Sequence, residues 1–305
     1  MNSTQPILPG TELPVLVGLW LAALVFSALA IAVCAWLARR TGLLLDHATG
    51  RKRHDGSIPL VGGPVLAVLL LLALLALDWP LREVWPLALG IVVLAGMGVI
   101  DDLVDLPAWP RLLVQALVVS VAVFIGDTQL HFIGDLFGMG RIGLGPLAPW
   151  FTMLCLLFLI NALNMLDGMD GLLGTTTLVS AAALALLGRA SGLPADGFFA
   201  ALLSAGLLGF LLFNLRSPWR RRASVYLGDS GSMMLGFVIG WLAITAVETS
   251  NGRISPVTIA LILVLSAVGL TYEIAAGRVL APFFGTSLLT WTTVIATVLG
   301  GFSLG

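Results

Sequence analysis

The chain has 305 residues, 59% of them hydrophobic and only 10% charged, with a formal net charge of −1 and a mean hydropathy of +1.06. Soluble domains carry about 25% charged residues, so this composition excludes an ordinary soluble domain, while the net charge says nothing about partners. Cys34 and Cys155 are the two cysteines, both inside apolar runs, which argues against a disulfide framework or a cysteine metal site.

A membrane-spanning helix needs roughly 20 mostly apolar residues. Runs of that character fall near 15–38, 64–78, 86–100, 111–126, 148–163, 172–188, 198–213, 233–248, 256–272 and 286–304. They predict an all-α polytopic membrane protein with about ten transmembrane helices in one compact bundle. No cleavable leader is expected, because the residues before the first run carry Glu12 and no Lys or Arg. The N-terminus is placed outside. Eleven of the 15 Lys and Arg residues then fall in inner loops, and only Arg82, Arg141, Arg189 and Arg253 fall outside. That is the positive-inside bias of a membrane protein. In the same frame Asp101, Asp102, Asp105, Asp167, Asp170 and Asp229 all collect at inner helix ends. Carboxylates at the membrane edge are costly to bury and point to function. Clustered at one face, they predict a cation site open to the cytoplasm.

The first inner loop holds RKRHDGSIPLVGG, residues 51–63. Its basic residues serve as a topology signal or as contacts to a polyanion. Gly62 and Gly63 after Pro59 predict a tight turn where something approaches the backbone closely. The third helix ends in GVIDDLVDLP, with Asp101 and Asp102 adjacent and only Arg111 nearby. Acids are common at helix ends, yet two adjacent carboxylates repel, and a divalent cation or basic group between them relieves that.

The fifth helix runs into NALNMLDGMDGL, where Asn161, Asn164, Asp167 and Asp170 recur every three residues. That spacing keeps them on neighbouring positions of a winding stripe. Capping would use one Asp and one Gly, not four polar residues in register. The eighth helix opens with VYLGDSGSMMLGF, in which Gly228 and Gly231 flank Asp229 and Ser230. An Asp or Ser before an apolar run is a normal N-cap. Small residues at a helix N-terminus also predict a phosphate cradle, with Asp229 reaching a metal. The outer loop with Asp127, His131, Asp135 and Arg141 is expected to form a short hairpin near GMGRIGLG, shaping the fold rather than doing chemistry. Acids suited to Mg2+, with basic and glycine-rich elements on the same face, fit a ligand that brings phosphates.

Together RKRHDGSIPLVGG, DDLVD, NALNMLDGMDGL and GDSGSMMLG, in this order, resemble the polyprenyl-phosphate N-acetylhexosamine-1-phosphate transferases of glycosyltransferase family 4. The likeness runs from about residue 15 to 270, which makes 1–270 the expected transferase domain. It implies transfer of a sugar 1-phosphate from a UDP-N-acetylhexosamine, UDP-GlcNAc first, to undecaprenyl phosphate. The products would be a lipid-linked diphospho-sugar and UMP, the first membrane step of a cell-envelope glycan. Mg2+ is the implied cofactor, with Mn2+ as a substitute. By the same likeness Asp229 and Asp167 are metal ligands. Asp101 and Asp102 lie by the lipid phosphate and metal, and Asp170 and Asn164 by metal, water or nucleotide. Asn214 lies by the uridine, Gly228 lines the substrate site, and Lys52 and His54 contact phosphate. The implied partners are undecaprenyl phosphate, a UDP-N-acetylhexosamine and the lipid bilayer of a bacterial inner membrane. A homodimer is left open, and no nucleic acid is expected.

The family pattern also includes a basic inner loop with a His-x-His-His element after the ninth helix. Here the three histidines are His47, His54 and His131, and none follows. Residues 271–305 instead contain E-x3-G-R-x-L-A-P-x-F-G-x-S-x3-W-T, with a final apolar run. That pattern resembles the first membrane segment of spermidine-synthase-like proteins, which suggests descent from a fusion or a cut within one. Two other classes compete. A catalytically impaired homologue would act in binding or assembly. A secondary transporter would carry its acids near the bilayer midplane rather than at helix ends.

Overall fold

The structure is a computed structural model that describes residues 13–46, 57–77, 79–134, 141–216, 222–250 and 252–260. Eight α-helices make up nearly all of it: α1 (Leu13–Thr41), α2 (Gly62–Ala76), α3 (Leu81–Val104), α4 (Ala108–Ser120), α5 (Ala148–Leu166), α6 (Leu172–Ala190), α7 (Pro194–Asn214) and α8 (Gly228–Thr249). A π-helical turn, Val121–Ile125, extends α4. All eight coincide with the first eight expected spans. Among the described residues, seven segments are long and apolar enough to cross a membrane, while α2 is a shorter apolar helix. The chain is therefore an all-α polytopic membrane protein. Only the first turn of the ninth expected span, 256–260, is described, and the tenth lies outside the described residues.

Helix α8 is the axis of the bundle. It packs against α2, α3 and α5, and almost every residue from Gly228 to Val247 is buried. Its glycines explain how. A Cβ at Gly236 would lie 2.6 Å from the Ile160 Cα of α5. On the facing helices, Gly98 of α3 and Gly63 of α2 lie so close to Ser230 and Gly231 that a Cβ at either would overlap them. Lipid offers no hydrophobic drive between helices, so small residues that let backbones approach carry the packing. The outer shell shows the opposite pattern. Val15, Leu29 and Val33 on α1 and Leu154 and Phe158 on α5 are exposed, as lipid-facing positions are.

Successive helices alternate in direction. The C-termini of α1, α3, α5 and α7 therefore share one end of the bundle with the N-termini of α2, α4, α6 and α8. Arg39 near the end of α1 donates to the Ser224 carbonyl just ahead of α8, at 3.0 Å. Short strands β1 (Leu45–Asp46) and β2 (Ile58–Pro59) pair antiparallel, Leu45 opposite Pro59, and fix the stem of the first loop at this end. At the other end Ile133 N–H donates to the Ile142 carbonyl, and Phe132 pairs with Gly143. This is the expected hairpin. His131 anchors it to Glu248 at the tail of α8, through its backbone N–H at 2.8 Å and Nδ1 at 3.0 Å.

Candidate active site

Four carboxylates meet where α3, α4, α5 and α8 converge. Helix α3 ends by turning Asp105 into a left-handed conformation, φ 51°, which leaves Asp101 and Asp102 in its last turn. They do not share a partner. Asp101, 4% exposed, accepts from Leu106 N–H at 2.8 Å and from Arg111 Nη1 at 2.7 Å. Asp102 turns to α8, where its Oδ1 accepts from Asp229 N–H at 3.0 Å and its Oδ2 from Ser230 N–H at 3.4 Å. The repulsion expected of the pair is relieved by an arginine on one side and a helix N-terminus on the other.

Asp229 sits in the first turn of α8. Gly228 before it has φ +74°, and a Cβ there would collide with the Asp102 carboxylate. Only glycine lets the helix start this close to α3. Asn164 of α5 donates from Nδ2 to Asp229 Oδ1 at 2.6 Å and to Ser232 Oγ at 2.9 Å. Arg111 Nη1 stands 3.6 Å from Asp229 Oδ2. One guanidinium nitrogen thus reaches both Asp101 and Asp229.

Asp167 follows the last residue of α5 and is half-buried at the cleft edge. Burial first, then the charges of Asp229 and Asp102, push its carboxyl well above the usual range. Carboxylates gathered this closely make a site that a bound cation would relieve.

Asp170 and Asn214 lie on a neighbouring patch and are held by protein partners. Asp170 Oδ2 accepts from Arg216 Nε at 2.8 Å and from Ala223 N–H at 3.3 Å. The Tyr226 hydroxyl also bonds Asp170, and burial and that carboxylate's charge push the phenol up to about 12. Asn214, 5% exposed, accepts from Gly171 N–H at 2.8 Å and donates to the Val225 carbonyl at 2.9 Å. The pair braces the α5–α6 turn to the segment that leads into α8. Gly171, φ +82°, starts α6 where a side chain would be strained.

Three sequence expectations take a different physical form. The amides expected to cradle phosphate at the start of α8 are taken by Asp102. The close approach expected at Gly62 and Gly63 comes from the chain itself: their N–H groups donate to the carbonyls of Tyr226 and Leu227 at 3.1 and 3.0 Å. Asn161 lies off the carboxylate group and donates to Gln115 Oε1 at 2.8 Å. Sequence reasoning did not single out Arg111, Gln115 or Ser232 as site residues. For Arg111 a signal existed, since it is the one basic residue close after the Asp101–Asp102 pair. Lys52 and His54, and the Glu273–Arg278 region, lie outside the described residues.

The donor set suits Mg2+. Among the described residues no three acidic, His or Cys side chains stand together as a ready-made metal cage. Mg2+ seldom uses one: it is held by one or two carboxylates, keeps waters and completes its shell with substrate phosphates. Among the described residues, Asp229 and Asp167 are the carboxylates at this cleft that accept no backbone N–H, whereas Asp101 and Asp102 do.

Glycosyl transferase family 4 matches residues 84–247, which covers α3 through α8. The chain belongs to that family. It is 36% identical over 216 residues to an undecaprenyl-phosphate alpha-N-acetylglucosaminyl 1-phosphate transferase of Haemophilus influenzae, covering 70% of this chain and 61% of that protein. Proteins of the same description match from Salmonella typhi, at 33% over 228 residues (73% of this chain, 61% of that one), and from Escherichia coli K12, at 31% over 235 residues (76% and 63%). The chain thus spans about three fifths of the length of these relatives.

Proposed function

We propose that the protein transfers N-acetylhexosamine 1-phosphate, GlcNAc 1-phosphate first, from a UDP-sugar to undecaprenyl phosphate at the cytoplasmic face of a bacterial inner membrane. An oxygen of the lipid phosphate attacks the donor's β-phosphorus. The bond from that phosphorus to the bridging oxygen breaks, and UMP leaves. One diphosphate replaces another, so the step is close to balanced. The observation that carries this reading is the gathering of Asp101, Asp102, Asp167 and Asp229 at one end of a membrane bundle, with Arg111 against Asp101 and Asp229. The names of the family relatives support the substrates.

The residues divide the work. Asp229 and Asp167 would hold Mg2+, and Mn2+ in its place. The bound ion would neutralise phosphate charge as the bond changes hands. Asn164 fixes the Asp229 rotamer. Arg111, kept in place by Asp101, adds positive charge at the same point. Asp170 and Asn214 shape the adjoining wall, where the nucleotide fits. Gly228 allows Asp102 and Asp229 to pack together. Lys52 and His54, which lie in sequence between β1 and β2, are assigned to phosphate contact. No general base is required, because a phosphate monoester has a second pKa of about 6 and is mostly the dianion at neutral pH. Positioning and charge neutralisation then supply most of the catalysis.

The test is a transfer assay in detergent with undecaprenyl phosphate, Mg2+ and UDP-GlcNAc labelled in the sugar. Label should enter the lipid phase and be lost with EDTA or in Asp229→Asn. No lipid label from GlcNAc or from other UDP-N-acetylhexosamines would overturn the proposal and favour a role in binding or assembly.

A further inference from the structure

We infer that Asp102 is a positioning residue that caps helix α8 and thereby aims Asp229, rather than a metal ligand or a base. The inference rests on the metal site proposed above and assigns one of its acids a different task.

The hydrogen bonds make the distinction. A helix begins with amide N–H groups that lack intrahelical partners. Helix α8 has no such partner from its own preceding residue: Leu227 precedes it and offers no side-chain bond. The acceptor comes instead from α3, 127 residues away in sequence, where Asp102 takes the amides of Asp229 and Ser230 with one oxygen each. A carboxylate at a helix N-terminus also meets the positive end of the helix dipole. Both effects fix Asp102 in the pose seen.

The surrounding packing holds that pose from every side. The Cα of Gly228 faces the carboxylate so closely that no Cβ would fit between them. Gly98, one turn earlier on α3, packs onto the backbone of Asp229 and Ser230. Ser230 itself is fully buried. The capped amide at 3.0 Å belongs to Asp229, the residue whose side chain Asn164 holds from α5 at 2.6 Å. Asp229 is therefore fixed at its backbone by α3 and at its side chain by α5. Moving Asp102 onto a metal would release two part-buried amides, which costs free energy unless another acceptor replaces it.

The same assignment explains the division between the adjacent acids. Asp101 holds Arg111 and Asp102 holds α8, so each sets the place of a different group that faces the cleft. It also accounts for the start of α8 not serving as an anion cradle, because its N-terminal charge is already matched.

The test compares wild type, Asp102→Asn, Asp102→Ala and Asp229→Asn in detergent. Amide hydrogen exchange at the start of α8 is measured without metal, and Mn2+ binding is followed by electron paramagnetic resonance. Loss of a cap should speed exchange at Asp229 and Ser230 by about fivefold in Asp102→Ala. Asn keeps one acceptor, so Asp102→Asn should restore much of the protection. Mn2+ affinity in Asp102→Asn should stay within about tenfold of wild type, the scale of an outer-shell change, while Asp229→Asn loses it. Unchanged exchange in both Asp102 variants would overturn the inference, as would loss of Mn2+ in Asp102→Asn equal to that in Asp229→Asn. If Asp102→Ala does not fold, Asp102→Asn decides alone, with exchange between fivefold and none expected. If wild type binds no Mn2+, the metal reading falls, and the exchange measurement still decides the capping.

Discussion

Asn164 Nδ2 donates to Asp229 Oδ1 at 2.6 Å, joining the last turn of α5 to the first turn of α8. The second hydrogen of the same amide goes to Ser232, so Asn164 has no freedom to rotate without losing both. Replacing it with Ala leaves Asp229 able to swing toward Arg111. Transfer activity should fall by about 10- to 100-fold, as for other residues that orient a metal ligand. The loss should show as a weaker Mg2+ dependence at unchanged expression, measured by titrating Mg2+ in the assay.

Arg111 is the cation that reaches both Asp101 and Asp229. Arg111→Ala leaves the buried Asp101 carboxylate with one backbone donor. The side chain of Arg111 is 29% exposed, so solvent screens part of the loss. A destabilisation of about 2 kcal/mol is expected, below the cost of breaking a fully buried pair. Thermal unfolding in detergent measures it. Arg111→Lys should recover part of the stability, since Lys supplies the charge but not the planar fork.

Packing at the start of α8 gives a sharper contrast within one helix. A Cβ at Gly98 would press on the Ser230 backbone, while a Cβ at Gly96 meets nothing within 4 Å. Gly98→Ala should cost ~1–3 kcal/mol by overpacking and depress activity by shifting Asp229. Gly96→Ala should be close to neutral in both. Stability and activity measured side by side check the pair.

The acidity of Asp167 sets a pH dependence. Its folded-state carboxyl titrates well above the usual 3.8, because burial and the charges of Asp229 and Asp102 oppose ionisation. Below that usual range both folded and unfolded chains hold the proton. As pH rises, the unfolded chain releases it first, so the unfolded state gains and stability falls until the folded carboxyl has also ionised. Metal-free protein should therefore lose Tm from the usual carboxylate range upward. Asp167→Asn should flatten that slope, and Mg2+ should offset it in wild type. Unfolding scans across pH with EDTA and with Mg2+ read all three.

Much of this was visible before the structure. The eight helices from α1 to α8 follow from unbroken apolar runs, because lipid demands length and hydrophobicity of each span. The carboxylates could be placed at one end because alternation of spans fixes which helix tips are neighbours. What each acid touches could not be read. Asp102 finds its donors 127 residues away and Asn164 finds Asp229 65 residues away, and such pairs depend on how closely helices pack. That closeness rests on glycines such as Gly63 and Gly98, whose role is visible only when the opposing backbone is in place. Asn214 is instructive for the same reason. The family likeness marks it for the uridine, yet its amide bonds the backbone of two segments that meet only in the fold.

In the proposed reaction the sugar moves together with its phosphate. A donor carrying tritium in GlcNAc and phosphorus-32 in the β-phosphate tests it in one reaction with undecaprenyl phosphate and Mg2+. Both labels should enter the lipid in equal molar amounts, leaving unlabelled UMP in water. Tritium in lipid without phosphorus-32 would mean plain glycosyl transfer with release of UDP, and would contradict the account.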